Sequence, residues 1–503
     1  MALAEVLTRY VVGIEATLVT VEIDISQGLP GFILIGLSDS TSRGIRARVR
    51  SAIINSGYHF PAKKMTLSLT PDAHFTETNG YDLPIAIAIL LASGQVHLAH
   101  RGRYEYYAGL SLDGSLTSCK GAISVALAAI NSKHPIIVAN KLFSPEFSFK
   151  EGTVFYAENL QQVCRYLQGE IILSPNWLVE SSRSTEYPNI DLQIINGQHH
   201  AKRALEIAAT GGHSLLMIGP PGSGKTTLAN CLPSLLPDLT LEEKIAIAQV
   251  ENLTKNHIEL PLLRPFRAPH HSITAAGLIG STHPESPGEI TLAHQGVLFL
   301  DELMEFDKKT LDALRTPLEQ GSVLLSRAKK HVTYPAKFQL VAAMNLPFAY
   351  AVSELKVNRA KVAMSKSLDI LSAALMDRFQ LSVEVSAPLE RLKSPNNECS
   401  RSVKTRVILA RDTQLRRQGR ENALLCSSDV SRYCSLTSED WGWLKNCLNK
   451  LSLSHRAFLH VLRVARTIAD LNGDPEITRP ALQEALSYRY TDRIVQYLIQ
   501  IYQ

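Results

Sequence analysis

A lysine and two hydroxyls close a glycine-rich run in the middle of the chain, Gly219-Pro220-Pro221-Gly222-Ser223-Gly224-Lys225-Thr226-Thr227. Gly219, Gly224, Lys225 and Thr226 occupy the fixed positions of G-x-x-x-x-G-K-[ST]. In that pattern the glycines let backbone N–H groups turn inward around phosphate, the lysine reaches the β- and γ-phosphates, and the hydroxyl ligates Mg²⁺. Downstream, the apolar run Val297 to Leu300 ends in Asp301 and Glu302. An aspartate there holds Mg²⁺ directly or through water, and a glutamate polarises the attacking water. A third run, "FQLVAAMN", ends in Asn345, an amide suited to orienting that water or touching the γ-phosphate; a strand-end cap is an equal reading. These residue types, in this order, point to hydrolysis of ATP with Mg²⁺ as the second cofactor.

Each of these groups needs an element to hold it. "SLLMI" before the loop reads as a buried strand and "TLANCLPSLL" after it as a helix, so the loop sits at a positive helix terminus. "GVLFLDE" and "FQLVAAMN" read as further strands. Strands and helices alternate from 197 to about 385, which predicts a parallel α/β sheet over 197–388. Residues 1–168 read as α+β. There "TLVTVEIDIS" alternates, "FILIGL" and "KMTLSLT" are strand-like, and "RGIRARVRSAIINSGY" and "YDLPIAIAILLASG" are helical. Residues 169–196, with Pro175 and "ESSRSTEYPN", read as a linker. From 389 to 503 helical periodicity dominates, as in "SHRAFLHVLRVARTIADLNG".

The chain has 503 residues, enough for two to four domains. Apolar content of 45% and charged content of 20% are those of a soluble protein. Seven cysteines form no C-x-x-C pair, which fits free thiols in a reducing, cytoplasmic setting. The first residues lack the pattern of a secretory signal, and the longest apolar stretch, "IAIAILLA", is too short for a bilayer; no membrane partner is expected. Net charge is +5, with eighteen Lys/Arg against eleven Asp/Glu between 391 and 503. Those basic residues make either a solvated helix face, the commoner case, or a contact with nucleic acid or another subunit.

The loop, the carboxylate strand, the polar third strand and the helical tail together resemble AAA+ ATPases. "GQHHAKRALEIAATGGHSLLMIGPPGSGKT", "RPFRAPHHS", "PGEITLAHQGVLFLDEL" and "SRAKKHVTYPAKFQLVAAMN" resemble the Mg-chelatase-like ComM/YifB family. "GLPGFILIGLSDS" and "VRSAIINSGYHFP" resemble its leading domain. The resemblance covers nearly the whole chain. It implies a Lon-protease-like α+β N-terminal domain, an AAA+ core and a C-terminal helical lid domain. It also implies a homo-hexameric ring that acts as a helicase on single-stranded or branched DNA, driving branch migration of recombination intermediates in natural transformation alongside recombination proteins.

The resemblance assigns further roles. Arg378 in "LMDRFQL" looks like an arginine finger that reaches a neighbour's γ-phosphate. Arg456 in "LSHRAFL" looks like the lid sensor, with Arg463 as second choice. The basic hairpin ahead of the third strand, with Arg327, Lys329 and Lys330 at its tip, would face the pore of a ring motor and grip DNA phosphates. Arg267 in "RPFRAPHHS", with Arg264, His270 and His271, suits DNA phosphate or a neighbouring subunit as well as it suits a packed turn.

Two departures stand out. "NLPFAYAVSELKVNRAKVAMSKS" lacks the cysteines that relatives commonly carry there. The positions matching the Ser-Lys dyad of Lon-type proteases hold Asn79, Gly80, Ile123 and Ser124, with Lys120 misplaced. A DNA motor is therefore the leading reading. A chelatase-type motor acting on a protein partner during metal insertion comes next, and chelatase motor subunits lack the leading domain. An ATP-dependent protease and a non-enzymatic adaptor follow.

Overall fold

The computed structural model describes residues 2–36, 39–71, 79–99, 103–139, 154–173, 190–256, 260–282, 285–327, 330–345, 373–386, 397–451 and 453–489. The chain forms two compact units. The first comprises Met1–Ser184, Lys244–Pro261 and Ser326–Tyr334; the second comprises Thr185–Glu243, Leu262–Leu325 and Pro335–Gln503.

In the first unit Ala2–Val12 (β1), Glu15–Ser26 (β2), Gly31–Ile35 (β3), Lys64–Thr70 (β4) and Glu105–Tyr107 (β5) join two later strands in one mixed sheet. Gly109–Leu110 (β6) and Leu116–Thr117 (β7) form a short separate ladder, and Ile136–Val138 (β8) and Val154–Tyr156 (β9) complete the sheet in the order β3-β4-β2-β1-β5-β8-β9. The alternation in β2 becomes an inward face of Val19, Val21, Ile23 and Ile25, all buried. The helix Asp82–Ala92 is apolar on every side and buried along almost its whole length.

Two segments from the middle of the chain belong to this unit for physical reasons. Ala248, with Ile245 and Leu260, packs in one apolar cluster with Val125, Ala126 and Ala129 of the helix Ala122–Asn131. Asn252 then caps that helix: its carbonyl accepts from Gly121 N–H at 3.0 Å and its Oδ1 from Ile123 N–H at 2.9 Å. Val332 and Thr333 lie against the β1–β2 turn, where a Cβ on Gly13 would stand 2.9 Å from Thr333 O and 3.0 Å from Val332 Cγ1.

The second unit is built on Leu215–Ile218 (β10), Phe266–Arg267 (β11), Val297–Leu300 (β14), Gln339–Met344 (β17) and Leu381–Glu384 (β18). Gly280–Thr282 (β12) and Glu285–Pro287 (β13) form a small ladder; Ser322–Arg327 (β15) and Lys330–Pro335 (β16) form another, in which Ser326–Tyr334 count with the first unit. The main sheet runs β11-β14-β17-β10-β18, and every neighbouring pair is parallel. The helix His199–Gly211 enters from one side and stops at Gly212, whose φ of 70° suits glycine.

The C-terminal region is helical, from Ser400–Gln418 through His455–Asn472 to Arg479–Ser487. Val403, Val407, Val461, Leu462, Ala465 and Ile468 share one core with Leu215, Met217 and Val341 of the sheet. This is a mixed α/β protein with a parallel sheet and a helical C-terminal region.

Candidate functional site

The strand order builds the site. In a parallel sheet the residues after each strand emerge on the same edge, which is where ligands bind. Gly219 follows β10, Asn345 follows β17 and Asp301 follows β14. Because β17 lies between β10 and β14, Asn345 stands between the phosphate loop and the Asp301/Glu302 pair. The registers align them, with Ile218 opposite Met344 and Leu300 opposite Ala342.

The loop has the form a phosphate cradle needs. Gly222 and Gly224 take φ of 76° and 89°, left-handed values that favour glycine, and the helix Lys225–Leu235 starts immediately after. Gly219 answers a different demand, since its backbone passes so close to β18 that a Cβ would stand 2.1 Å from Val385 O. The Lys225 Nζ donates to Gly219 O at 3.0 Å, Pro220 O at 2.8 Å and Ser223 Oγ at 3.3 Å. Burial pulls this ammonium below the ordinary lysine value, with Asp301 acting in the opposite direction. Thr226 Oγ1 donates to Asp301 Oδ2 at 2.7 Å, so a hydroxyl and a carboxylate converge on one point beside the loop. That donor set fits Mg²⁺ with a triphosphate: the cation would rest on Thr226 and Asp301, and the phosphates on the N–H groups from Gly222 to Thr227.

Glu302 does not continue the strand. Its backbone turns left-handed, φ 52° and ψ 49°, and its N–H donates to Asp301 Oδ1 at 2.9 Å. Its half-exposed carboxylate has His271 Nδ1 at 3.5 Å. The sequence suits His271 to a DNA contact or a packed turn; its neighbour here is the carboxylate that follows Asp301.

Arg378 and Arg456 meet on a carboxylate that the sequence did not single out. Arg378 Nη2 is bonded to Glu319 Oε1, and Arg456 Nη2 lies 3.7 Å from the same oxygen. Burial first, then Arg456, lowers the proton affinity of the Arg378 guanidinium, against the pull of Glu319. No local pattern marks Glu319, which is recognisable only once two sequence-distant arginines are seen on it. Arg463 is largely covered, and burial lowers its proton affinity as well.

The proposed DNA contacts fare unevenly. Arg267 is engaged by Glu289 through two hydrogen bonds, 2.6 and 2.7 Å, and Arg264 by Glu243 through two of 2.9 Å. Both arginines are tied to carboxylates around β11, the arrangement of a packed turn. The basic hairpin is present as β15 and β16, with Val332 and Tyr334 buried. Lys329 lies outside the described residues, and Arg327 and Lys330 are placed only as strand ends.

The basic C-terminal stretch is mostly neutralised from within. Lys404 pairs with Asp238, Arg406 with Glu206 and Glu398, Arg411 with Glu421, Arg417 with Asp470 and Arg420 with Asp429. In the first unit, the ring of Tyr107 fills the space beside Gly80, 2.5 Å from where a Cβ would be. Ser124 is buried and accepts from Gln249 at 3.4 Å, and the carbonyl of Lys120 accepts from Tyr107. The cysteine-free stretch after Asn345 lies outside the described residues.

Three family models match. The one described as magnesium chelatase, subunit ChlI, matches residues 191–392. The one described as subunit ChlI of Mg-chelatase matches 21–141, and the magnesium chelatase subunit ChlI C-terminal model matches 397–489. Among curated relatives, the YifB protein of Escherichia coli K12 is 46% identical over 506 residues, and that of Salmonella typhimurium LT2 is 44% identical over 504 residues. The competence protein ComM of Haemophilus influenzae Rd is 42% identical over 506 residues. Each alignment covers 99% of both chains. Among the described residues no helix is long and apolar enough to cross a membrane.

Proposed function

The chain belongs to the Mg-chelatase-like AAA+ family that includes YifB and ComM, and from this premise we propose that it is an ATPase that drives DNA through a ring of six copies. In this reading it migrates branches in recombination intermediates during natural transformation, in the cytoplasm and alongside recombination proteins. The observation that carries the ATPase part is the meeting of Lys225, Thr226, Asp301, Asn345 and Glu302 on one sheet edge, with Thr226 and Asp301 already 2.7 Å apart. The DNA part is supported by the competence name of the Haemophilus relative and by the basic hairpin. Residues 1–168 act as a non-proteolytic Lon-like domain, 169–196 as a linker, 197–388 as the ATPase core and 389–503 as the lid.

The chemistry follows from the positions. Lys225 gives up its loop carbonyls and places its charge on the β- and γ-phosphates. Thr226 and Asp301 would hold Mg²⁺, which when bound would supply charge neutralisation on the phosphate oxygens. Asn345 orients the water. Glu302 takes its proton as its oxygen attacks the γ-phosphorus, and the bond to the β-phosphate oxygen breaks to leave ADP and phosphate. Arg378, parked on Glu319, is transferred to the nucleotide of the adjoining subunit, where it meets charge that develops in the transition state, and Arg456, beside the same carboxylate, serves as the lid sensor.

The test is ATP hydrolysis with no DNA and with single-stranded, duplex and branched DNA. Stimulation by DNA is expected, greatest with branched substrates. Lys225→Ala should abolish nucleotide binding, and Glu302→Gln should bind normally and hydrolyse ~10²–10⁴ times more slowly. Hydrolysis indifferent to every DNA would remove the motor reading, and near-native turnover in Glu302→Gln would remove the assignment of the base.

A further inference from the structure

We propose that the turn between β1 and β2 is a seat for the basic hairpin β15–β16, with Gly13 as its positioning residue: the turn holds the hairpin's return strand and so sets how the hairpin meets DNA. The inference rests on the DNA-motor reading above and gives the leading domain a part in it.

The hairpin needs a support. Ser322–Arg327 and Lys330–Pro335 form a ladder of their own, apart from the five-stranded sheet, and a lone two-stranded ladder is marginal in water. The return strand has one covered face. Val332 and Tyr334 are each 1% exposed, while His331 and Thr333 alternate with them and are exposed.

The β1–β2 turn lies against that strand. A Cβ on Gly13 would stand 2.9 Å from Thr333 O, 3.0 Å from Val332 Cγ1 and 3.7 Å from Tyr334 Cε1. Three consecutive residues of β16 thus close on one point of the turn. Gly13 meets two demands at once. Its φ of 59° is left-handed, as the first position of a two-residue turn joining Val12 to Glu15 favours. No side chain fits between it and the Thr333 carbonyl, and that obstacle is backbone, which cannot swing aside as the end of a side chain can.

The seat is firm from behind. β1 and β2 pair without a break from Ala2 opposite Ile25 to Val12 opposite Glu15. Val11, two residues before Gly13, touches the start of the helix Ala122–Asn131, where a Cβ on Gly121 would lie 2.9 Å from Val11 Cγ2. Val11 and Ala16 pack in one apolar cluster with Val125, Ala126 and Ala129 of that helix, and Asn252 caps it. A hairpin resting on such a platform is pre-organised. Its basic residues close on phosphate without first having to be ordered, which is where a floppy ladder would lose affinity.

The experiment compares the full-length chain with Gly13→Ala, Val332→Ala and, as a control, Gly94→Ala. Gly94 also has a left-handed φ, 72°, but a Cβ there meets nothing within 4 Å, so it brings the backbone cost without the collision. Hydrogen exchange read by mass spectrometry follows the amides of His331 to Tyr334. Thermal midpoints check folding, and hydrolysis is measured with no DNA and with single-stranded, duplex and branched DNA. Crowding in Gly13→Ala should speed exchange of those amides roughly 10- to 100-fold. It should also remove most of the stimulation by DNA and leave hydrolysis without DNA unchanged. Val332→Ala should speed the same exchange by emptying the seat from the hairpin's side. Gly94→Ala should change neither exchange nor stimulation. Unchanged exchange in both Gly13→Ala and Val332→Ala overturns the seat. Faster exchange with stimulation intact overturns its part in meeting DNA, and so does an equal loss of stimulation in Gly94→Ala. A wild-type chain whose hydrolysis no DNA changes overturns the motor reading and this role together, whereas a stimulated wild type with an equally stimulated Gly13→Ala overturns this role alone.

Discussion

Gly219→Ala should disable the site through a backbone collision, in a loop where other glycines are required for a different reason. A Cβ at Gly219 would lie 2.1 Å from Val385 O, 3.1 Å from its carbonyl carbon and 3.2 Å from Ser223 Oγ. Ordinary contact for a Cβ begins near 3.4 Å, so the loop must retreat by more than an ångström. The obstacle is itself pinned, since Val385 N–H donates to Ile218 O at 2.7 Å. Over-packing of this kind costs about 1–3 kcal/mol, or about 2–4 °C in Tm per kcal/mol for a unit of this size. A shift of ~1 Å also separates Lys225 and Thr226 from Asp301, which costs about 100-fold in turnover. Gly222→Ala is the comparison. It meets no atom within 4 Å and must only hold a φ of 76°, a cost of about 1–2 kcal/mol that leaves the loop in place. The assay is MgATP titration with a fluorescent analogue, steady-state hydrolysis and a thermal melt on both variants. Turnover in Gly219→Ala equal to or above that in Gly222→Ala would refute the steric argument.

Three other outcomes are expected. If Arg378 completes a neighbour's site, mixing Arg378→Ala with Lys225→Ala chains restores part of the hydrolysis that each lacks alone; no recovery at any mixing ratio shows hydrolysis to be confined within one subunit. Lys329→Ala/Lys330→Ala keeps basal hydrolysis, loses stimulation by DNA and flattens the log–log salt dependence of DNA binding by roughly 1.4–1.8; unwinding at the wild-type rate would clear the hairpin of any part in gripping DNA. Stability should fall as pH drops from about 6.5 to 4, because burial lowers His213 and His294 to about 4. The unfolded chain takes up those protons near 6.5, so below that pH it binds more than the fold does, and each histidine withdraws up to about 1.4 kcal/mol per pH unit. The urea midpoint between pH 7.5 and 4.5 reads this, and His213→Gln should shrink the change.

The parts of the site carried by consecutive residues were legible before any fold was known. The loop from Gly219 to Thr227 needs only its own glycines and the strand and helix on either side, and local periodicity marks both of these. Asp301 and Asn345 were recognisable as strand ends for the same reason: β14 is wholly apolar, β17 is apolar after Gln339, and both are short runs that stop at a polar residue. The helical C-terminal region followed from its period and from stops such as Gly419 and Gly473, both left-handed.

What the tertiary structure decided is every relation between those parts. Strand order is not written in any one strand, because a buried apolar run fits a central position wherever it pairs; only the fold places β17 between β10 and β14 and so sets Asn345 beside the phosphate loop. The partner of a charge is equally non-local. The sequence leaves Arg267 equally suited to phosphate and to a packed turn, and only the fold shows Glu289 on it; likewise only the fold brings Asp238, Glu206, Glu421 and Asp470 to the basic run after 393. Glu319 carried no signal of its own, and His271 none that tied it to Glu302. Their meaning comes from Arg378, Arg456 and Glu302, groups that only the sheet and its packed helices bring within reach, since an ion pair is set by distance in space and is indifferent to distance along the chain.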